Sequence, residues 1–226
     1  DRPTDLPTEL GFTGSQRFYE SDGTLARGKF LSAFLENVGV STKMSRTTNY
    51  SSDDLNLSTI AAQSNSYGGY FISLHSNGAN NSANYVISEY CGTRSSNSTE
   101  KVSGSKKFAY TAAVQHDKNR LTDVTYSTPR AINDYAFNGW NLGVLRTNTQ
   151  VGYLVESWFH DYRPETLRMK GDAYNRYLAW QLARAYMEYP KGNASGIKGC
   201  VVGDIRNTSK GCGYSKYTHR NRDSYL

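Results

Sequence analysis

The 226-residue chain has few of the residues that mark several protein classes. It holds three cysteines and five prolines, and no apolar run approaches the roughly 20 residues that a membrane-spanning helix needs. These shortages argue against a disulfide-rich scaffold and a collagen-like repeat, and they predict no membrane span. Hydrophobic residues make up 37% and aromatic residues 13% of the chain, which is typical of a globular protein and excludes a disordered one.

Most of the chain also lacks an excess of positive or negative charge. The formal net charge is +6, but residues 191–226 carry +5 of it and residues 1–190 only +1. The near-neutral main part predicts no nucleic-acid partner, because such a partner needs a broad basic surface. The basic tail is either a solvated segment or a contact for an anionic polymer, and in the second case the chain would be a polyanion-binding protein.

The cysteines give no metal-ligand pattern, because none of them belongs to a CxxC or CxxH pair. Cys200 and Cys212 would close one disulfide in an exported protein and leave Cys91 over, and the alternative is three reduced thiols. Residues 1–4 lack the apolar segment of a signal peptide, which is equally expected where such a peptide has been removed.

Apolar residues alternate along the chain between helical spacing and strand-like runs. This alternation predicts an α/β sandwich with a largely parallel sheet within residues 1–190. Residues 191–226 are predicted to be a linker followed by the start of a second module or by a basic tail. The predicted helices lie at 31–38, 51–63, 106–115, from Pro164 onwards and at 174–189, and the predicted strands at 40–44, 70–75, 85–87 and 151–155.

Two of the apolar runs end in a titratable residue. His75 ends the run at 70–75, and Glu156 follows the run at 151–155. Sites in open α/β sheets form outside the carboxyl ends of the strands, so these two side chains can converge on one crevice. A carboxylate there can act as a general base or metal ligand, and an imidazole as a ligand or proton carrier.

The residues around these two positions resemble a known family. The segment FISLHSNG at 71–78 resembles FISIHAN in the zinc-dependent N-acetylmuramoyl-L-alanine amidases, bacterial cell-wall hydrolases with a His/Glu/His zinc site. VGYLVESWF at 151–159 resembles their PAVLVEGGF. Weaker matches follow in the same order, and together they cover residues 17–189: VSTKMSR at 40–46, AAQSN at 61–65, RAI at 130–132, and LGVLR at 142–146, which resembles a strand of the family.

The resemblance implies a fold and a set of roles. It implies a three-layer sandwich in which helices flank a mixed, mostly parallel sheet. It implies that Glu20 and His75 are ligands of a Zn²⁺ cofactor, that Glu156 is the general base, and that Arg130 lies near the substrate. The implied substrate is peptidoglycan, cut at the amide between N-acetylmuramic acid and L-alanine, and the implied location is outside the cytoplasm.

The sequence departs from the family at one important place. The family takes its first zinc ligand from a Gly-His-Gly-Gly segment, and this sequence has no histidine before His75. Either the sequence starts past that segment, or the zinc site is degraded and the chain is a non-catalytic peptidoglycan-binding domain. GIKGCVV at 196–202 resembles the first strand of a β-sandwich module of the carboxypeptidase regulatory type, which would make the tail a truncated second module.

Overall fold

A four-stranded sheet lies between two layers of helices. The structure is a computed structural model, and it describes residues 18–79, 82–93, 99–125 and 130–189. The helices of the described residues are α1 (Glu20–Glu36), α2 (Leu57–Tyr67), α3 (Ser105–Lys118), α4 (Asp134–Asn138), α5 (Gly143–Arg146), α6 (Arg163–Met169) and α7 (Asp172–Glu188), and the strands are β1 (Tyr70–Asn77), β2 (Ile87–Tyr90), β3 (Arg130–Asn133) and β4 (Val151–Phe159).

The strands lie in the order β1-β4-β2-β3. The pairs β1–β4 and β2–β3 are parallel, and β2 and β4 join them in an antiparallel pair. This arrangement confirms the prediction of an α/β sandwich with a mixed, mostly parallel sheet. β4 is hydrogen-bonded on both sides, which explains why its sequence is an almost continuous apolar run.

Helices α1, α3 and α7 cover one face of the sheet, and α2 and α5 cover part of the other. Tyr153 and Val155 of β4 are fully buried against the first layer, with Leu31 and Leu35 of α1. Leu154 points to the opposite face and packs with residues of α5. The α2–α5 layer is small and does not reach the carboxyl end of β4. The candidate site lies at that end, on the same face of the sheet as Leu154.

Three local predictions are wrong. Residues 40–44 form no strand; they are irregular, and Thr42 Oγ1 hydrogen-bonds to Ser32 and Glu36 of α1 instead. The segment 142–146 is helix α5 rather than a strand, because Asp134 accepts the backbone N–H of Leu142 at 2.8 Å. The helix predicted from residue 51 is preceded by a short 3₁₀ turn and begins at Leu57, where the Asn56 side chain accepts the N–H of Thr59.

The other predicted elements overlap the observed ones, although α1 spans Glu20–Glu36 and begins well before the helix predicted at 31–38. The strand predicted at 85–87 begins at Ile87, and the helix predicted at 106–115 extends over Ser105–Lys118. Cys91 is a buried free thiol. The predicted linker, second module and Cys200–Cys212 pair lie outside the described residues. Among the residues that are described, no helix combines the length and apolar character that crossing a membrane requires.

Candidate active site

His75 and Glu156 lie opposite each other at the carboxyl ends of β1 and β4. The two residues are register partners, so their side chains leave the same face of the sheet. Glu156 is also opposite Ile87 of β2, and Ile87 is opposite Arg130 of β3. The sheet therefore places two of the predicted catalytic and ligand residues side by side, with the predicted substrate residue two strands away, about 10 Å at the usual strand spacing.

The first turn of α1 brings Glu20 to His75. Oε1 of Glu20 lies 3.0 Å from Nδ1 of His75, and the same oxygen accepts the backbone N–H of Ser76 at 3.1 Å. Burial raises the pKa of Glu20, but these two hydrogen bonds and the charge of His75 together bring it below its ordinary value. Burial lowers the pKa of His75. The hydrogen bond to Glu20 and the charges of Glu156 and Glu20 raise it by more than burial lowers it, so the pKa lies above its ordinary value.

Glu156 has one carboxyl oxygen without a hydrogen-bond partner in the part of the chain that the structure describes. Its Oε2 is buried and accepts no hydrogen bond from the described residues. Burial raises the pKa of Glu156 to about 7; the charge of Glu20 adds to this shift, and the charges of His75 and Arg27 oppose it. A carboxyl group whose pKa is near neutrality can accept a proton and give it up again at physiological pH.

A β-bulge follows Glu156. His75 is paired with Glu156 but Asn77 with Phe159, so β4 contains one extra residue. Trp158 lies in the bulge with a φ of 66°, a conformation that is unusual for any residue with a side chain, and its indole is buried. In PAVLVEGGF this position is the second glycine, and glycine has no steric difficulty at positive φ.

Glu89 is a buried carboxyl group of the site face that the sequence analysis did not single out. Its side chain lies on the same face of β2 as Ile87 and is 3% exposed. Asn138 of α4 donates a hydrogen bond to it at 2.6 Å. Burial raises the pKa of Glu89 to about 8, and the charge of Glu156 adds to the shift. The sequence feature that could have identified Glu89 is the presence of an acidic residue inside a short apolar strand.

Two further polar residues surround the site. His160 Nδ1 lies 2.8 Å from the carbonyl oxygen of Ser76 and 3.0 Å from its Oγ. Burial lowers the pKa of His160. The guanidinium carbon of Arg130 lies 5.6 Å from the centre of the Tyr85 ring, a cation–π contact that holds the arginine beside the sheet.

Glu20 and His75 fit a zinc ion as two of its ligands. Imidazole nitrogen and carboxylate oxygen are both common zinc donors, and their 3.0 Å separation is close to the roughly 3.3 Å between two ligands of a tetrahedral site. A catalytic zinc site has three protein ligands. In the part of the chain that the structure describes, no three His, Cys, Asp or Glu side chains are grouped to hold a metal ion.

Comparisons with known proteins agree with the fold. The family model described as N-acetylmuramoyl-L-alanine amidase matches residues 7–187. Among the similar solved structures is an N-acetylmuramoyl-L-alanine amidase from Clostridium difficile 630, with 21% identity, a TM-score of 0.65, and coverage of 80% of this chain and 88% of that one. AmiC2 of Nostoc punctiforme has 21% identity, a TM-score of 0.59 and coverage of 83% and 93%.

A third similar structure is Ami1 from Mycobacterium smegmatis, an N-acetylmuramyl-L-alanine amidase, with 18% identity and a TM-score of 0.65. The match covers 78% of this chain and 79% of that one. No curated protein sequence matches the chain significantly.

Proposed function

The chain belongs to the N-acetylmuramoyl-L-alanine amidase family, and from this membership we propose that it cleaves the amide bond between N-acetylmuramic acid and L-alanine with the help of a zinc ion. The family match makes it an amide hydrolase of peptidoglycan. The zinc ion, the bond and the residue roles are the proposal. One observation carries it: the Glu20–His75 pair lies at the strand end next to that of Glu156, whose buried Oε2 has no hydrogen-bond partner among the described residues.

Glu20 and His75 would hold the zinc ion, together with a third ligand that the described residues do not contribute. When bound, zinc polarises a carbonyl group and lowers the pKa of a water molecule toward ~7. The other steps belong to residues of this chain. Glu156 takes the proton of the attacking water at Oε2 and passes it to the amine that leaves.

Arg130 is proposed to bind the substrate. Arg130 shares a register row with Ile87 and Glu156, and the contact of its guanidinium with the Tyr85 ring limits the positions it can adopt. The stem peptide of peptidoglycan carries carboxylate groups, and a guanidinium binds a carboxylate with two parallel hydrogen bonds. Because peptidoglycan lies outside the cytoplasmic membrane, the proposed place of action is the cell envelope or the exterior.

The test combines zinc content with hydrolysis of purified peptidoglycan by the full chain. We expect about one zinc ion per chain and release of peptides with a free L-alanine amine. Glu156→Gln keeps the size of the side chain and removes the base, so the rate should fall by about 10²- to 10⁴-fold. Glu36→Gln, an exposed carboxyl at the far end of α1, is the control and should retain the wild-type rate.

The contrary result is equally clear. Absence of zinc and of turnover, with the chain still retained on insoluble peptidoglycan, would indicate a binding domain with a degraded zinc site. Binding that falls steeply with salt and is lost on removal of residues 191–226 would instead indicate contact of the basic tail with a polyanion.

A further inference from the structure

Arg27 is a fully buried cation in the middle of α1. Its exposure is 0%, and it lies one helical turn before Leu31 on the stripe that faces the sheet and α7. An apolar side chain would suit this stripe, and removing a guanidinium from water is costly unless it is compensated. The burial of Arg27 therefore calls for an explanation that packing alone does not give.

The contacts of Arg27 lead to the candidate site. Its Nη1 donates a hydrogen bond to the carbonyl oxygen of His75 at 3.1 Å, and its Nε donates to the carbonyl of Gly23 at 3.4 Å. Nη2 is buried and has no partner among the described residues. No carboxylate of the described residues forms an ion pair with Arg27. Its one long-range hydrogen bond therefore goes to a peptide group of the site.

That peptide group is held at both of its ends by α1. The His75–Ser76 peptide gives its N–H to Glu20 and receives the guanidinium of Arg27 at its C=O. Glu20 and Arg27 are seven residues apart, which is two helical turns, so both side chains leave the same face of the helix. The oxygen of Glu20 that accepts this N–H is also the one that contacts the His75 ring.

We propose that Arg27 is a positioning residue that fixes the His75–Ser76 peptide and, through it, the orientation of the His75 imidazole against Glu20. Peptide orientation decides where the side chain of His75 begins, and Glu20 alone would leave the C=O end of the peptide without a partner. The inference rests on the proposed function for its consequence in catalysis, but the positioning itself is a property of the metal-free chain.

Three variants of the full chain test this inference. Arg27→Met removes the charge and both hydrogen bonds at similar length, and Arg27→Lys retains a charge and one donor. Leu31→Ala damages the packing of the same helix stripe without touching the His75–Ser76 peptide, so it is the control for a purely structural loss.

The first readout is nitrogen NMR of the His75 ring in the metal-free chain, assigned with His75→Gln. At a pH high enough for the ring to be neutral, we expect a single Nδ1–H form held by Glu20 in the wild type. In Arg27→Met we expect a mixture of tautomers with faster proton exchange. Arg27→Lys should recover part of the wild-type signal, and Leu31→Ala should retain it in the folded fraction.

The second readout is peptidoglycan hydrolysis. We expect Arg27→Met to lower kcat by about 10- to 100-fold with little change in KM, as the loss of a group that orients a ligand does. Some stability should be lost, because the His75 carbonyl loses its donor and the carboxylates of Glu20 and Glu156 lose a nearby cation, so kcat is compared per folded molecule. Leu31→Ala should lose stability but retain kcat per folded molecule.

An unchanged His75 spectrum in Arg27→Met would overturn the inference, as would a loss of activity that only follows the loss of folded protein. If the wild-type chain shows no hydrolysis, the proposed function fails, but the NMR comparison still decides the role of Arg27. The two failures are therefore distinguishable.

Discussion

His116 of α3 and Ser157 of β4 are joined by a hydrogen bond of 3.0 Å between Nε2 and Oγ, on the helix-covered face directly behind Glu156. His116 is fully buried, and its Nδ1 has no partner among the described residues. Burial lowers the pKa of His116 to about 3 from its ordinary 6.5. The ring is therefore neutral in the folded protein near neutral pH.

This neutral histidine predicts a loss of stability in acid. The unfolded chain binds a proton near pH 6.5 and the folded chain only near pH 3, so stability falls as the pH falls between these values. His116→Gln can retain the bond to Ser157 and has no proton to bind. When the pH is lowered from 7.5 to 4.5, the free energy of unfolding measured with urea should fall by roughly 2–3 kcal/mol more in the wild type than in the variant. Parallel pH curves for the two proteins would contradict the prediction.

Glu89 predicts the opposite dependence. Its folded pKa of about 8 lies above the ordinary 4.5, so the folded chain retains a proton that the unfolded chain has released. The stability due to this group is complete below about pH 4.5 and is lost as the pH rises toward 8. Glu89→Gln can still accept the hydrogen bond of Asn138, and it should be more stable than the wild type by roughly 2–4 kcal/mol at pH 7.5.

The Glu89→Gln comparison is repeated at pH 4.5, where the two proteins should be nearly equal in stability. A constant difference at both pH values would mean that the carboxyl group is ionised in the folded protein, and the assignment would be wrong.

The positive φ of Trp158 leads us to expect that glycine at this position is more stabilising than alanine, which is the reverse of the usual order in a strand. Both Trp158→Ala and Trp158→Gly lose the buried indole, at about 3–5 kcal/mol. Glycine normally costs about 0.5–1 kcal/mol more than alanine in a strand. At a φ of 66° alanine retains the backbone strain and glycine relieves it, so the glycine variant should be the more stable by about 1 kcal/mol. Chemical denaturation of the two variants measures this difference directly, and an alanine advantage would show that the position is not strained.

Asp134 predicts a stability defect at a carboxylate that takes no part in the chemistry. It is fully buried; Oδ1 accepts the N–H of Gly92 at 3.0 Å and Oδ2 the N–H of Leu142 at 2.8 Å. Asp134→Asn retains only one acceptor, so one backbone N–H would face an amide NH₂. We expect a loss of about 1–3 kcal/mol in thermal or urea unfolding. Asp54→Asn at an exposed position is the control and should change stability by less than about 0.5 kcal/mol.

The parts of the fold that the sequence predicts are those with a local signal. The apolar runs at 70–75 and 151–155 indicate β1 and β4. The run in β4 follows from its burial between two neighbouring strands, whereas β1, at the edge of the sheet, is mostly half-buried. The resemblance named Glu20, and the structure brings it to His75, although Glu20 alone looks like an ordinary acidic residue in the first turn of a helix.

The parts that the sequence does not predict depend on distant partners. Leu142 looks like the start of a strand, and only the side chain of Asp134 turns it into the N-cap of α5. Arg27 looks like a solvent-exposed helix residue, because a lone arginine gives no sign that its partner is a carbonyl group 48 positions away. Such contacts follow from the tertiary packing and have no pattern in the chain around them.

The extra residue in β4 changes how positions beyond Glu156 correspond to those of other chains. Counting by twos, which identifies the face of a regular strand, fails here: Phe159 is three positions after Glu156, yet it pairs with Asn77, two positions after His75. A deletion of one residue at Ser157 or Trp158 would therefore do more than shorten the strand. It would remove the bulge and its local bend and restore regular alternation, so that Phe159 still pairs with Asn77 while a single residue separates it from Glu156.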